Sequence, residues 1–144
     1  MTKWLLLLAL ALPHVTYANC YVTSGNLDFG WYDPSSAQST TSSATIDIRC
    51  DEPTSLTIEL DSGTHALNQQ QRRMANETMT NEFLNYSLTQ DAAHTRPWGQ
   101  IHQGTAQTTG LMTSGQIDVY GVIPALQQPR LGYYSDRVTL TILP

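Results

Sequence analysis

The stretch that decides the predicted fold is Arg137-Val138-Thr139-Leu140-Thr141-Ile142, near the carboxyl end of the chain. Its apolar residues alternate with polar ones, which is the period of a β-strand buried on one face. A sheet protein with such a strand late in its sequence raises the question of what covers the outer edge of that strand.

Five earlier segments show the same alternation, and no segment of useful length has a helical period. These segments are residues 27–31, 46–50, 56–60, 84–88 and 117–119. With the late strand they make six strands, or seven if residues 98–102 also form one. Polar stretches at 35–43, 63–81 and 103–115 read as turns and loops. The pattern predicts an all-β fold, an immunoglobulin-like sandwich, with a small closed barrel as the competing architecture.

Residues 1–18 have the pattern of a secretory signal peptide. Lys3 precedes the nine-residue apolar run 4–12, and a small-x-small cleavage site follows at 16–18. Nine apolar residues are too few to cross a bilayer, which takes about 20. No later segment is longer or more apolar, so we expect no membrane span and a single exported domain over residues 19–144.

The predicted mature chain is acidic. It has six arginines, no lysine and twelve acidic residues, which gives a net charge of −6. An acidic chain without lysine is a poor binder of polyanions, so we expect no nucleic-acid partner.

Cys20 and Cys50 are the two cysteines, and a disulfide between them is the default interpretation for an exported chain. Metal binding and a reactive thiol are the alternatives. Two distant thiols lack the four-ligand spacing of a structural zinc site, so neither alternative has support. We expect no bound metal and no cofactor.

Polar residues suited to catalysis are few and scattered. The candidates are His65, His94 and His102 with Asp61, Asp91 and Asp118. They fall in or beside predicted loops, and no His-Glu-x-x-His, Gly-x-Ser-x-Gly or phosphate-loop motif occurs. We therefore predict a protein that is not an enzyme and has no catalytic residues.

Aromatic residues offer the other candidate contacts. Trp98 and Tyr133 are candidates for contact with a surface or ligand. The alternation places Trp31 on the core side of its predicted strand. Tyr134 and Asp136, just before the late strand, are predicted to fix a turn and a corner hydrogen bond.

A series of short motifs runs in order along the mature chain. It comprises Phe29-Gly30-Trp31-Tyr32-Asp33-Pro34, Ile46-x-Ile48-x-Cys50, Leu84-x-Tyr86-x-Leu88, Trp98-Gly99, Tyr120-Gly121-x-Ile123-Pro124-Ala125-x-Gln127 and Gly132-x-Tyr134-x-Asp136-x-Val138. Together these motifs resemble the spore coat protein U domain, the pilin-type domain of archaic chaperone-usher pili.

The resemblance implies an incomplete immunoglobulin-like sandwich that lacks its final strand. A periplasmic chaperone fills the resulting hydrophobic groove first, and the amino-terminal extension of a neighbouring pilin subunit replaces it during assembly at an outer-membrane usher. The implied location is the periplasm in transit and then a cell-surface or extracellular fibre, with a role in adhesion or biofilm formation.

The residues expected to line this groove are Val138, Leu140 and Ile142, with Leu27 and Phe29 on the opposite edge. The alternative is that they are ordinary core residues of a self-sufficient sandwich. The protein would then be a freestanding secreted coat-like or ligand-binding module.

The chain departs from the family pattern before its first cysteine. Subunits that polymerise carry some fifteen residues with alternating apolar side chains there, whereas only Asn19 separates the predicted cleavage site from Cys20. We therefore expect a subunit that accepts a strand but does not donate one, at the tip or another terminal position, or acting as a cap or a secreted orphan.

Overall fold

The structure is a computed structural model that describes residues 19–144. The predicted signal peptide lies outside the described residues. The strands are β1 Cys20–Ser24, β2 Thr40–Thr54, β3 Thr57–Leu60, β4 Arg72–Asn76, β5 Phe83–Thr89, β6 Gln107–Thr108, β7 Met112–Ile123, β8 Tyr134–Ser135 and β9 Leu140–Leu143. A short 3-10 helix spans Ile101–Gln103. No helix within residues 19–144 is long and apolar enough to span a membrane.

The strands form two antiparallel sheets. The larger has the order β1-β2-β7-β5-β4-β8 and the smaller the order β6-β3-β9. β2 and β7 make the longest ladder, which runs without interruption from Thr40 opposite Ile123 to Arg49 opposite Ser114. The predicted all-β sandwich is therefore confirmed. It has more strands than the alternation indicated, and β2 and β7 are longer than predicted.

The apolar faces of the two sheets pack against each other. The fully buried members of this core are Ile48, Leu56, Ile58, Trp98 and Ile123. A disulfide joins Cys20 to Cys50, which lie directly opposite each other in the β1–β2 ladder, as predicted.

Trp98 belongs to this core and not to the surface. Its side chain is 0% exposed, and its indole Nε1 donates a hydrogen bond of 2.9 Å to the carbonyl of Ile58. The prediction that Trp98 contacts an outside surface is therefore wrong. A buried indole needs a partner for its one N–H, and β3 supplies it.

The predicted strand at 27–31 is absent, for a local reason. Asp28 closes a turn by accepting the Gly30 N–H at 2.8 Å, and Gly30 has φ of +70°, a left-handed conformation that ends the alternation. Leu27 and Phe29 still face the core. Trp31, after the turn, is 95% exposed, so the prediction that it packs inside is wrong.

The predicted loop 63–81 contains β4, which the sequence pattern did not reveal. Arg72 and Arg73 make this segment look polar, yet both are only partly exposed and directly precede the buried Met74. Residues 98–102 form no strand. They lead from an isolated bridge at Pro97 into the 3-10 helix.

Candidate strand-acceptor groove

A groove of about 790 Å³ opens between the two sheets beside β9. Four of the five residues predicted for it line it, namely Leu27, Phe29, Val138 and Leu140. Ile142 packs against the core cluster but lies outside the lining. An engineered cavity of about 150 Å³ holds one benzene, so this groove has room for several side chains.

The floor of the groove is the inner face of the larger sheet. It consists of Ala44, Ile46, Met74, Tyr86, Leu88 and Val119. Most of these side chains are buried members of the core. The groove is thus a part of the sandwich core that the smaller sheet does not cover.

One wall of the groove is the segment that ends in β9. Along the edge of this segment that faces β3, the carbonyl of Arg137 accepts the Thr64 N–H, and the carbonyl of Thr139 accepts the Asp61 N–H, both at 3.0 Å. β9 itself pairs with β3 there. Its other edge has no strand partner among residues 19–144.

Backbone groups on a strand point to alternate sides from one residue to the next. Since Arg137 and Thr139 bond toward β3, the N–H and C=O groups of Val138, Leu140 and Ile142 point to the open edge. The same three residues turn their side chains toward the core. This edge therefore offers both a row of main-chain partners and an apolar stripe to an added strand.

The opposite wall is the extended segment that carries Leu27 and Phe29. Phe29 lies edge-on to Tyr86, with 6.2 Å between ring centroids. It also rests on Gly121 of β7, where an added Cβ would come within 2.6 Å of the Phe29 ring. The glycine of the Tyr120-Gly121 motif thus makes room for this wall.

Asp136 organises the end of the groove where β8 leads toward β9. Its Oδ1 accepts the backbone N–H groups of Thr64 and His65 at 3.0 and 3.2 Å, and its Oδ2 accepts the Tyr86 hydroxyl at 2.5 Å. Burial of Tyr86, together with its hydrogen bond to Asp136, raises the pKa of this phenol. The Tyr134 hydroxyl donates to the carbonyl of Arg130 at 2.7 Å. The predicted turn and corner hydrogen bond are therefore present.

Arg72 fastens the two sheets together at this end, a role that the sequence did not suggest. From β4 its guanidinium donates to the carbonyls of Asp61 at 2.6 Å and Trp98 at 2.9 Å. Burial lowers the pKa of Arg72. A guanidinium can satisfy several carbonyls at once, so Arg72 holds the smaller sheet and the Trp98 loop in place.

The candidate catalytic residues do not assemble. No hydrogen bond joins the ring of His65, His94 or His102 to a carboxylate within the described part of the chain. The ring Nδ1 of His94 lies 3.3 Å from the hydroxyl oxygen of Thr89, within hydrogen-bond distance. Asp91 caps its own loop, and hydrogen bonds from Thr95 hold the pKa of Asp91 down to about 2. No cluster of three metal-ligating side chains occurs among residues 19–144.

A second feature lies at the pole of the sandwich where β2 begins and β7 ends. We call it the loop pole and define it as residues 31–36, 77–82 and 124–133. Trp31 and Leu131 are each 95% exposed there, and Tyr133 is also exposed. The structure therefore places Tyr133 on the surface, where the sequence analysis expected it.

The loops of this pole are braced. The Tyr32 hydroxyl donates to the carbonyl of Pro124 at 2.8 Å and accepts the Gln127 N–H at 2.9 Å. An ion pair of 3.2 Å joins Arg130 to Glu82 of the neighbouring loop. The exposed apolar side chains are thus presented on loops that are tied to one another.

Comparison with known proteins identifies relatives of this chain. The family model of the Spore Coat Protein U domain matches residues 6–141. Protein U of Myxococcus xanthus is 28% identical over 128 residues, which cover 82% of this chain and 71% of that protein.

Two solved structures show the same fold. One is the CsuC–CsuE chaperone-tip adhesion subunit pre-assembly complex of the archaic Csu pili of Acinetobacter baumannii, with a TM-score of 0.62 and 22% identity. The other is described as a chaperone-tip adhesin complex of CFA/I fimbriae biogenesis, with a TM-score of 0.51 and 13% identity. Each match covers 88% of this chain, which spans only 39% and 42% of the solved chains.

Proposed function

Because the chain belongs to the Spore Coat Protein U domain family, we propose that it is a structural subunit of a chaperone-usher pilus that accepts a strand from a partner. The observation that carries this proposal is the open edge of β9 beside the uncovered part of the core. Membership of the family and the fold shared with two pilus tip subunits support it.

The open edge is costly for an isolated subunit. Unpaired strand edges template aggregation, and apolar groove walls exposed to water lose the benefit of burial. An added strand would bond to the outward N–H and C=O groups of Val138, Leu140 and Ile142. Its alternate side chains would fill the groove over Leu27 and Phe29, which is the general mode of β-strand addition.

The test is the thermal stability of the mature protein with and without a peptide from the amino-terminal extension of a neighbouring pilin-like subunit. We expect the melting temperature to rise with peptide concentration, because a ligand that binds only the folded state stabilises it by mass action. A peptide of the same composition in scrambled order is the control.

A matched pair of variants locates the binding edge. Leu140→Glu puts a charge into the groove, whereas Thr141→Glu puts the same charge on the exposed face of the same strand. We expect the first to abolish the peptide effect and the second to preserve it. A highly stable monomer that ignores every peptide would contradict strand acceptance.

The partners of this function are proposed to be a periplasmic chaperone, an outer-membrane usher and a neighbouring subunit. Co-expression with the chaperone should raise the yield of the wild-type subunit and fail to do so for Leu140→Glu. Equal yields of the two would count against a chaperone that acts through this edge.

A terminal place in the fibre is the finer proposal. It rests on the predicted cleavage after Ala18, which would leave a single residue before Cys20. The mass of the secreted protein tests it: a chain that begins at Asn19 supports the proposal, and a longer amino terminus contradicts it.

Adhesion is proposed to use the loop pole, where Trp31, Leu131 and Tyr133 are exposed. Exposed apolar side chains on neighbouring loops can mark a contact surface. Retention of the protein on an apolar surface should fall when all three are replaced by serine. Unchanged retention of the serine variant would exclude the loop pole as the adhesive surface.

The alternative is a freestanding secreted sandwich, favoured by the long β2–β7 ladder and by the disulfide, which both stabilise the domain without a partner. The same peptide titration separates the two functions. No enzymatic activity is proposed for either.

A further inference from the structure

The two ends of the groove differ in polarity. Toward its far end the lining is mostly apolar and includes Leu27, Ile46, Val119 and Leu140, with Asn26 as a polar member. Near β8 the lining contains Thr64, His65, Ser135 and Asp136. An added strand therefore meets two chemical environments.

Asp136 is the group that sets the chemistry of the polar end. Asp136 is partly exposed, and its carboxylate accepts hydrogen bonds from the Thr64 and His65 amides and from the Tyr86 hydroxyl. The single ion pair among residues 19–144 joins Arg130 to Glu82, so no cation makes an ion pair with Asp136. Arg137 also lines the groove, and Arg72 interacts with Asp136 electrostatically from a greater distance. The part of Asp136 that faces the open groove is accessible to water.

A strand laid over this end would displace that water. A carboxylate that loses water without gaining a hydrogen bond is strongly disfavoured, so an apolar side chain is a poor cover for Asp136. A neutral side chain that donates a hydrogen bond would compensate, whereas an acidic one would add repulsion.

We propose that the strand accepted by this groove carries a hydrogen-bond-donating side chain, of the asparagine or serine type, at its inward position next to Asp136, and apolar side chains at its other inward positions. This proposal rests on the proposed strand-accepting function and specifies the chemistry of the strand. It also predicts an asymmetric strand, because a polar side chain at the far end would face a lining that is apolar except for Asn26.

The experiment uses the unchanged mature protein and a set of ten-residue peptides. The parent peptide alternates leucine with threonine between Ser-Gly ends. In five variants, the first or the last inward leucine is replaced by asparagine or aspartate, or both are replaced by asparagine. Asparagine and aspartate have nearly the same shape, so this pair separates hydrogen-bond donation from size. Affinities are measured by titration calorimetry.

One terminal inward position of the peptide should lie next to Asp136. There we expect the asparagine peptide to bind about tenfold tighter than the leucine peptide and at least about tenfold tighter than the aspartate peptide. At the other position we expect asparagine to weaken binding about tenfold. Leucine that binds as well as asparagine at both positions would overturn the polar requirement while leaving strand acceptance intact. Failure of all the peptides to bind would overturn both.

A variant of the protein gives a second measurement. In Asp136→Asn the penalty on the aspartate peptide should disappear, because the charge that repels it is gone. A penalty that persists in a folded Asp136→Asn protein, checked by near-UV circular dichroism, would contradict the role of Asp136. Should this variant not fold, the peptide set with the wild-type protein decides the matter.

Discussion

The β2–β7 half of the sandwich and the β9 edge both turn apolar side chains toward the core but differ in how their backbones are paired. Ile48 on β2 lies within a ladder bonded on both sides and is buried. Leu140 on β9 has the same alternating neighbours and is only partly buried, with one open edge. The difference shows that the side-chain pattern determines which face of a strand turns toward the core. How completely that face is buried depends on whether neighbouring strands pair with both edges.

The largest effect is expected at Trp98, the largest fully buried side chain of the core. Trp98→Ala should lower the free energy of unfolding by about 4 kcal/mol, because it empties a large buried volume and leaves the Ile58 carbonyl without its indole partner. Chemical denaturation measures this loss. Trp31→Ala is the matched control, and its exposed side chain should change stability by less than about 0.5 kcal/mol. Similar losses of stability for the two tryptophan variants would contradict the assignment of Trp98 to the core and Trp31 to the surface.

Removal of the disulfide is expected to cost nearly as much. The double variant Cys20→Ser, Cys50→Ser opens a loop of 30 residues, which corresponds to about 3 to 4 kcal/mol on the chain-entropy model. Denaturation with and without reducing agent checks the value. The wild type under reduction should fall to the level of the variant, and the variant should not respond.

A paired truncation compares the two regions directly. Ile48→Ala should cost about 3 kcal/mol in the isolated subunit, whereas Leu140→Ala should cost less than about 1.5 kcal/mol because its site is already half open. With a bound strand peptide the cost of Leu140→Ala should rise, since the residue becomes fully covered. A Leu140→Ala cost that is large and independent of peptide would indicate a closed edge.

The smallest effect concerns the polar end of the groove. Tyr86→Phe removes the hydrogen bond to Asp136 and should cost about 1 to 2 kcal/mol at neutral pH. The pKa of Tyr86 is raised in the folded state, so its contribution is complete below the unfolded value of about 10 and is lost as the pH rises above that value. Stability of the wild type should therefore fall faster than that of Tyr86→Phe above about pH 10. Parallel curves would contradict this role.

Alternation predicted which side chains of the late strand face inward, because a period of two fixes which side chains share a face. Val138 and Leu140 line the groove, whereas Ile142 packs against the core outside its lining. Leu27 and Phe29 also line the groove, but from a segment that forms no strand. The facing of Trp31 could not be assigned from sequence, since the left-handed turn at Gly30 breaks the period just before it.

The polar contacts were harder to predict. The partners of Arg72 are backbone carbonyls more than ten residues away, and those of Asp136 are amides about seventy residues away. Such acceptors and donors have no signature in the sequence. An arginine that looks solvent-exposed in the sequence can therefore be partly buried and hydrogen-bonded to several carbonyls, as Arg72 is. A strand that contains such an arginine, as β4 does, is then predicted to be a loop.

The position of the disulfide has a mechanical consequence. Cys20 begins the edge strand β1 and is bonded covalently to Cys50, the residue of β2 that follows its uninterrupted ladder with β7. A force applied at Asn19, the residue before Cys20, therefore bypasses the β1 hydrogen bonds and reaches β2 directly. There the load acts along the β2–β7 ladder, where ten consecutive residue pairs from Thr40 to Arg49 share it in shear rather than opening one after another.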